Sequence, residues 1–542
     1  MSYTFTLDGL GVEITLMRVL YTPGKSSSEA PEYIEVHVKS LAVTNWQKAV
    51  ILPFAKFNVS KLAQCCPFVS IGNTSKKKLD QELSSSLLDA IADGLLERGY
   101  YLSQNGAILF QDGIYRFVHG NELVGNPCDF TYKFAPHLQD VRLSGDNTLS
   151  LAELALLLLT APPQVFLVLA YVLLTSVRSI ILANGIDLQA VLYVTGKQGL
   201  GKTTLVSRIA GIYQQVSDGK QMGLVQAGTT AAAIDDLLIS LRDQPLIVDD
   251  LCLSAGKAVA RKRRELGATL IRQGAGQQPI LKKRGKENVR FQCAAGVILT
   301  AEFTLENMSD LTRCLIVPLT DRLDLADELM PDVIGDTVRQ YSEWFSLHGQ
   351  EEVNELCHSL KRGNNTVLDP RVFTNYKCLG WALSVLKRCM AAQGLPQSTL
   401  DALTLRMNEA ISLSIESHNR LRQSLLDKIP QGNIAWCILQ GYEDKCFNLC
   451  KNIDKLAKHD GILWHDDLCL RTSALVSFLR QQPGYQGISR NKITSYLKDK
   501  RALVIQEDEA DTVHLEKSTK TRYIPRVYRI RLDVLKKIAE KF

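Results

Sequence analysis

Short apolar runs alternate with amphipathic stretches along most of the chain. YIEVHV (33–38), AVILPF (49–54) and AILFQDGIYRFV (107–118) read as strands. Leu79, Leu83, Leu87, Ile91 and Leu95 recur every four residues, which predicts a helix over 77–97. Leu154 to Val177 carries no charge. That is long enough to span a bilayer. Pro162 and Pro163 interrupt it, however, and a proline pair closes one helix and opens the next. Two short buried helices are expected there, with no membrane partner. From Val191 the pattern becomes strand, loop, helix and strand again: VLYV (191–194), TTLVSRIAGIY (203–213), PLIVDD (245–250) and GVILTAE (296–302). Such alternation predicts a parallel sheet with helices on its faces.

Residues 323–430 have helical periodicity and little strand signal. Further on, TSALVSFLRQQ (472–482) and RNKITSYLK (490–498) each carry an apolar stripe, with Pro483 and Gly484 between them. ALVI (502–505) and RVYRIRL (526–532) read as strands around a charged loop. Helix, turn, helix and a two-stranded wing make a winged helix. Four segments follow: an α+β module over 1–146, a helical lead-in and α/β core over 147–322, a helical lid over 323–430, and the winged helix over 431–542.

Composition narrows the class. The 542 residues are 46% hydrophobic and 22% charged, which excludes wholesale disorder, collagen and a pure coiled coil. The thirteen cysteines are scattered and odd in number, as in reduced cytoplasmic proteins. No basic-then-apolar leader opens the sequence. Cys446, Cys450, His459 and His465 raise zinc, but their spacing lacks a finger loop, and Cys446 and Cys450 also fit one helix face.

Candidate chemistry begins at Gly196-Lys-Gln-Gly199-Leu-Gly201-Lys202-Thr203, which fits G-x-x-x-x-G-K-[ST] between a strand and a helix. The glycines let backbone N–H groups curl around phosphates. Lys202 would neutralise phosphate oxygens, and Thr203 would give a hydroxyl to Mg²⁺. With Thr204, these residues are the expected ATP contacts. Asp249 and Asp250 end the strand LIVDD, whose carboxyl edge lies beside the loop in such a sheet. Asp249 is expected to hold the metal with Thr203, and Asp250 to polarise an attacking water. Thr300 ends the next strand and could orient that water; Glu302 is close by. Arg313 precedes a further apolar strand, from which it could reach a neighbouring subunit's nucleotide.

The net charge of +6 is unevenly spread. Residues 257–290 hold eleven Lys or Arg against two Glu. PILKKRGKENVRF (279–291) predicts a hairpin with Lys282, Lys283, Arg284 and Lys286 at its tip, suited to a phosphate backbone. Residues 490–542 hold fourteen basic and eight acidic side chains. Arg490, Asn491, Lys492, Thr494, Ser495 and Lys498 could face DNA there.

GKQGLGKTT, PLIVDD, the basic hairpin, VILTAE and TRCLIVPL together resemble the AAA+ helicases of mobile genetic elements. The resemblance lies near superfamily 3 and the self-loading replication helicases of staphylococcal chromosomal cassettes and pathogenicity islands. It implies a P-loop core, a hexameric ring, ATP-driven translocation on single-stranded DNA and duplex unwinding. Carried over, Lys202, Thr203, Asp249 and Asp250 make the ATP site. Thr300 is the sensor, Arg313 the finger acting in trans, and Lys282, Lys283, Arg284 and Lys286 a pore hairpin. The chain departs from the family in ending its second motif Asp-Asp, where Asp-Glu is commoner. No primase motif is recognisable in 1–146. Two other readings stay open: an AAA+ ATPase remodelling a protein complex in transposition or defence, and an ATP-gated DNA-binding regulator.

Overall fold

The computed structural model describes residues 2–7, 10–24, 30–69, 74–127, 129–252, 257–276, 279–284, 287–303, 305, 307–362, 369–428, 434–482, 485, 487–504, 512, 515 and 526–539. Residues 1–305 and 312–418 form one compact unit; 306–311 and 419–542 form a second. The fold is α/β with flanking mixed and helical elements.

The first unit is built on five parallel strands: β1 (Val191–Gly196), β2 (Leu224–Gln226), β3 (Pro245–Leu251), β4 (Gly296–Ala301) and β5 (Cys314–Leu319). Their order across the sheet is β2-β3-β4-β1-β5. Val191–Val194 of β1 and Val297–Leu299 of β4 are fully buried. Adjacent strand residues face opposite sides of a sheet. Accordingly Gly296 abuts Thr175 of helix Pro163–Ser176, and Val297 abuts Gly274 of helix Lys257–Gly274. Burial on both faces explains why these strands read as continuous apolar runs rather than alternating ones.

The uncharged run Leu154–Val177 is divided as its prolines dictate, into helices Leu151–Thr160 and Pro163–Ser176. Ser150 and Glu153 form a capping box at the first. Every side chain from Val165 to Ser176 is buried. No helix among the described residues is long and apolar enough to cross a membrane.

The N-terminal residues form a mixed six-stranded sheet. Its path runs Gln47–Pro53, Tyr33–Ser40, Val12–Tyr21, Glu97–Leu102 and Thr131–Phe134, with Tyr3–Thr6 also paired to Val12–Tyr21. The helix expected over 77–97 spans Lys76–Ala92 instead. Gly94, at φ +67°, turns the chain, and Glu97 already opens a strand.

Side chains far apart in sequence bind residues 107–144, largely outside that sheet, to helices and loops around the central one. His119 is buried between Tyr213 Oη (2.8 Å) and Ser342 Oγ (3.0 Å). The buried Asp243 carboxylate accepts from the backbone of Ala107 (2.9 Å) and Ser179 (2.7 Å). Arg339 donates to Glu122, Asp336 and the carbonyls of Leu143 and Ser144. Strand Val141–Leu143 pairs directly with Tyr213–Gln215. After β5 come the long helices Pro331–Arg362, Pro370–Ala392 and Gln397–Lys428, the last passing from the first unit into the second at residue 419.

In the second unit, helices Thr472–Arg480 and Arg490–Asp499 match the expected pair. The sheet beside them differs from a lone two-stranded wing. Val527–Arg531 pairs with Asp467–Arg471, which precedes both helices. Leu503 contributes a single bridge to Ile530, and Ile505 lies outside the described residues.

Burial pushes the His119 imidazole down to about 3. The unfolded chain therefore holds an extra proton between that value and the ordinary one near 6.5. Its contribution to stability is complete above pH 6.5 and is lost as pH falls toward 3, at up to about 1.4 kcal/mol per pH unit. In denaturant titrations across pH, His119→Gln should be less stable at neutral pH and show a shallower acid limb.

Candidate functional site

The carboxyl edge of the central sheet opens onto a cavity of about 610 Å³. Its floor is the loop between β1 and helix Lys202–Ala210. Gly199 and Gly201 sit at φ +80° and +90°, a backbone region that strains other residues. That conformation brings the loop tightly to the helix start. Lys202 is buried, and its Nζ donates to the carbonyls of Gly196 and Lys197 at 2.8 Å each.

Strand order sets the acidic side of the cavity. β4 lies between β1 and β3, and Val194 is level with Thr300. Thr300 thus stands between the loop strand and the acidic strand. The Asp249 carboxylate, 4% exposed, accepts from Thr203 Oγ1 (2.9 and 3.1 Å) and from Thr300 Oγ1. Gln226 Nε2 is 3.5 Å from Asp249 Oδ2. A buried carboxylate is costly unless such donors replace its water.

Asp250 adopts φ +63°, uncommon for a residue with a side chain. The β3–β4 register shifts at this point, between Val248 and Leu251. Asp250 N donates to Thr300 Oγ1 at 3.0 Å, and its carboxylate lines the cavity, about half exposed. Arg263 Nη2, from helix Lys257–Gly274, lies 3.7 Å from Asp250 Oδ2. Glu302, Arg208, Arg322, Asp324 and Asp327 add to the polar wall, and Gln198 and Thr204 also line it. One expected site is therefore a physical cluster: Gly199, Gly201, Lys202, Thr203, Thr204, Asp249, Asp250 and Thr300 share one cavity, with Gly196 bonded to Lys202 beneath it.

Sequence reasoning missed Gln226, Arg208, Arg322 and Arg263. Gln226 ends a three-residue strand with no periodic signal. Arg263 was hidden within a run of cations.

Arg313 does not line this cavity. It sits at the amino end of β5, 6% exposed, with its carbonyl bonded to Val191 N (2.9 Å). It is the length of a strand away from the loop edge.

The basic insertion folds as helix Lys257–Gly274 followed by a hairpin, Ile280–Arg284 with Glu287–Phe291. Lys282 Nζ donates to Asp236 Oδ1 on helix Ala231–Ser240. The side chains of Lys283 and Arg284, and all of Lys286, lie outside the described residues. In the second unit Arg490, Asn491, Lys492, Ser495 and Lys498 are exposed on one helix. Thr494 is a correction: it is buried and bonded to Tyr528 Oη (2.7 Å), because the apolar stripe of its helix turns it inward. Cys446 is exposed, Cys450 buried, and His459 Nδ1 pairs with the Lys455 carbonyl (2.9 Å). Among the described residues no three His, Cys, Asp or Glu gather as a metal site would need.

No protein-family model and no curated protein matches the chain. Among solved structures it is similar to the SCCmec type IV Cch active helicase, at 12% identity and TM-score 0.47, over 98% of this chain and 97% of that one. It is also similar to an apo form of the NrS-1 C-terminal region, at 10% identity and TM-score 0.25, over 95% and 96%. Inhibitor-bound JCV helicase matches at 12% identity and TM-score 0.20, over 46% of this chain and 65% of that one. At these scores the likenesses carry no chemistry to this chain.

Thr300→Val keeps the side-chain shape but removes the hydroxyl shared by Asp249 and Asp250 N–H. Stability should fall by about 1–3 kcal/mol, because buried polar groups lose their partner. Thr300→Ser should recover most of it, as read by denaturant titration.

Proposed function

We propose that this chain is an ATP-dependent DNA helicase or replication initiator of a mobile genetic element. The observation that carries this reading is the single cavity in which a lysine-bearing glycine loop meets two strand-end carboxylates and a strand-end threonine. Lys202 and the N–H groups at the start of its helix would bind the phosphates of ATP. Its present acceptors, two backbone carbonyls, show an ammonium already directed into the loop. Thr203 and Asp249, in contact at 2.9 Å, would hold Mg²⁺. Bound there, the metal supplies charge neutralisation at the transferring phosphoryl group. Asp250 faces the same cavity and is the candidate for orienting water. Thr300 fixes both aspartates and acts as the sensor.

In this reading the P-loop (AAA+) core and its helical lead-in span 147–322, with the lid over 323–430 and the winged helix over 431–542. The chain works in the cytoplasm as a ring, for which a hexamer is the expectation. Arg313 would turn outward at a subunit interface to reach the neighbouring nucleotide. The hairpin with Lys282, Lys283, Arg284 and Lys286 would follow single-stranded DNA. Arg490, Asn491, Lys492 and Lys498 would hold duplex DNA. One observation favours a protein-remodelling AAA+ ATPase instead: Lys282 is engaged by Asp236 rather than left for a phosphate.

ATP turnover with and without single-stranded DNA decides between them. DNA should raise the rate several-fold. Lys202→Ala should abolish turnover, a loss of at least about a hundredfold. Replacing Lys282, Lys283, Arg284 and Lys286 by alanine should remove only the DNA response. Brisk turnover indifferent to DNA would put the remodelling reading first.

A further inference from the structure

The second unit carries a cavity that plays no part in the site above. It is an open groove of about 1100 Å³ along helix Thr472–Arg480. Ser473, Ser477 and Arg480 lie along it on one exposed helix face. Arg471, Arg490 and Arg526 also line it. Among the described residues no acidic and no aromatic side chain does.

The arginines differ in what they already hold. Arg471 donates to the Ala457 carbonyl (3.3 Å) and lies 3.8 Å from Asp460, which ties it to the fold. Arg480 uses only Nε, bonded to the Ile488 carbonyl at 3.3 Å. Its two Nη groups, and the guanidinium of Arg490, make no hydrogen bond or ion pair among the described residues. Such planar forks match phosphate oxygens in pairs. Hydroxyls of Ser473 and Ser477 add neutral donors between them.

We infer that this groove binds the phosphodiester backbone of duplex DNA, with Arg480 and Arg490 as its principal contacts. Three features select a backbone rather than bases or a lone phosphate. Arg480 and Arg490 face a groove whose described lining residues include no carboxylate, so a polyanion is the complementary charge. Among the described lining residues there is no ring on which a base could stack. The rise from Ser473 to Arg480 is about 10 Å, longer than one phosphate group needs. The groove is therefore long enough to meet more than one successive phosphate of a strand. Arg490 is shared with the exposed face of helix Arg490–Asp499. The groove would thus set that helix's orientation on the duplex without reading sequence. The inference rests on the proposed function only in taking DNA as the polyanion.

The test is DNA binding by the full chain without ATP, by fluorescence anisotropy, on two duplexes of unrelated sequence over a range of salt. Arg480→Ala should weaken both about equally, by roughly tenfold, and flatten the log-affinity against log-salt slope by about 0.9. Arg480→Ala also loses the bond to Ile488, so Ser477→Glu provides a second variant. It places a carboxylate in the groove at an exposed helical position and should weaken binding at least as much, with an unchanged melting temperature. Unaltered affinity and salt slope in Ser477→Glu would overturn the inference. So would stabilisation of the wild type, but not of Ser477→Glu, by inorganic pyrophosphate with DNA affinity equal in both, since the ligand would then be a free phosphate compound. Failure of ATP turnover would sink the motor reading and leave this comparison intact, because no nucleotide is added.

Discussion

The Asp249 carboxylate is the point on which the candidate site is assembled. It sits at the end of β3, nearly out of water, and is satisfied by hydroxyls from two other elements. Thr203 belongs to the helix that follows the glycine loop, and Thr300 to the strand between. The same Thr300 oxygen accepts from Asp250 N. One short chain of hydrogen bonds therefore fixes the loop helix, the acidic strand and the middle strand at a common edge. Buried networks of this kind hold geometry because an unmade bond inside the protein is expensive.

That edge is stiff because the sheet beneath it is buried on both faces, by helices Pro163–Ser176 and Lys257–Gly274. The backbone is less regular at the opening. Asp250 holds a left-handed backbone at the bulge where β3 parts from β4. Arg263 reaches this residue from the helix that leads into the basic hairpin. The cavity and the basic insertion are thus in contact across one ion pair of 3.7 Å.

The N-terminal residues illustrate how polar side chains can decide architecture. A segment with its own sheet and its own apolar cluster could have folded as a separate domain. It belongs instead to the same compact unit as the central sheet. His119, Asp243 and Arg339 tie residues 107–144, which follow that cluster in the chain, to the rest of the unit, each buried and each bonded to residues remote in the chain. Their burial makes the joint sensitive to acid, since charging His119 inside would leave a cation with little solvation.

The glycine loop, the apolar strands and the proline break at 162–163 were legible in the sequence because each is local. Glycine permits positive φ, proline forbids helix continuation, and doubly buried strands must be apolar whatever surrounds them. The order of the strands was not legible, and that order is what puts Thr300 beside Asp249. Gln226 stayed hidden because a three-residue strand leaves no period to read. Helix Lys257–Gly274 was obscured by its own charge density, and the engagement of Lys282 depends on Asp236, 46 residues away. Thr494 shows the same limit on one helix: polarity suggested an outward side chain, while a buried tyrosine hydroxyl offered it a partner inside. Sequence by itself determined which segments could form strands, turns and a phosphate-sized loop, since those follow from backbone sterics and hydrophobic period. Only the tertiary structure decided which polar groups meet, because hydrogen bonds and ion pairs across the chain are chosen by packing rather than by spacing.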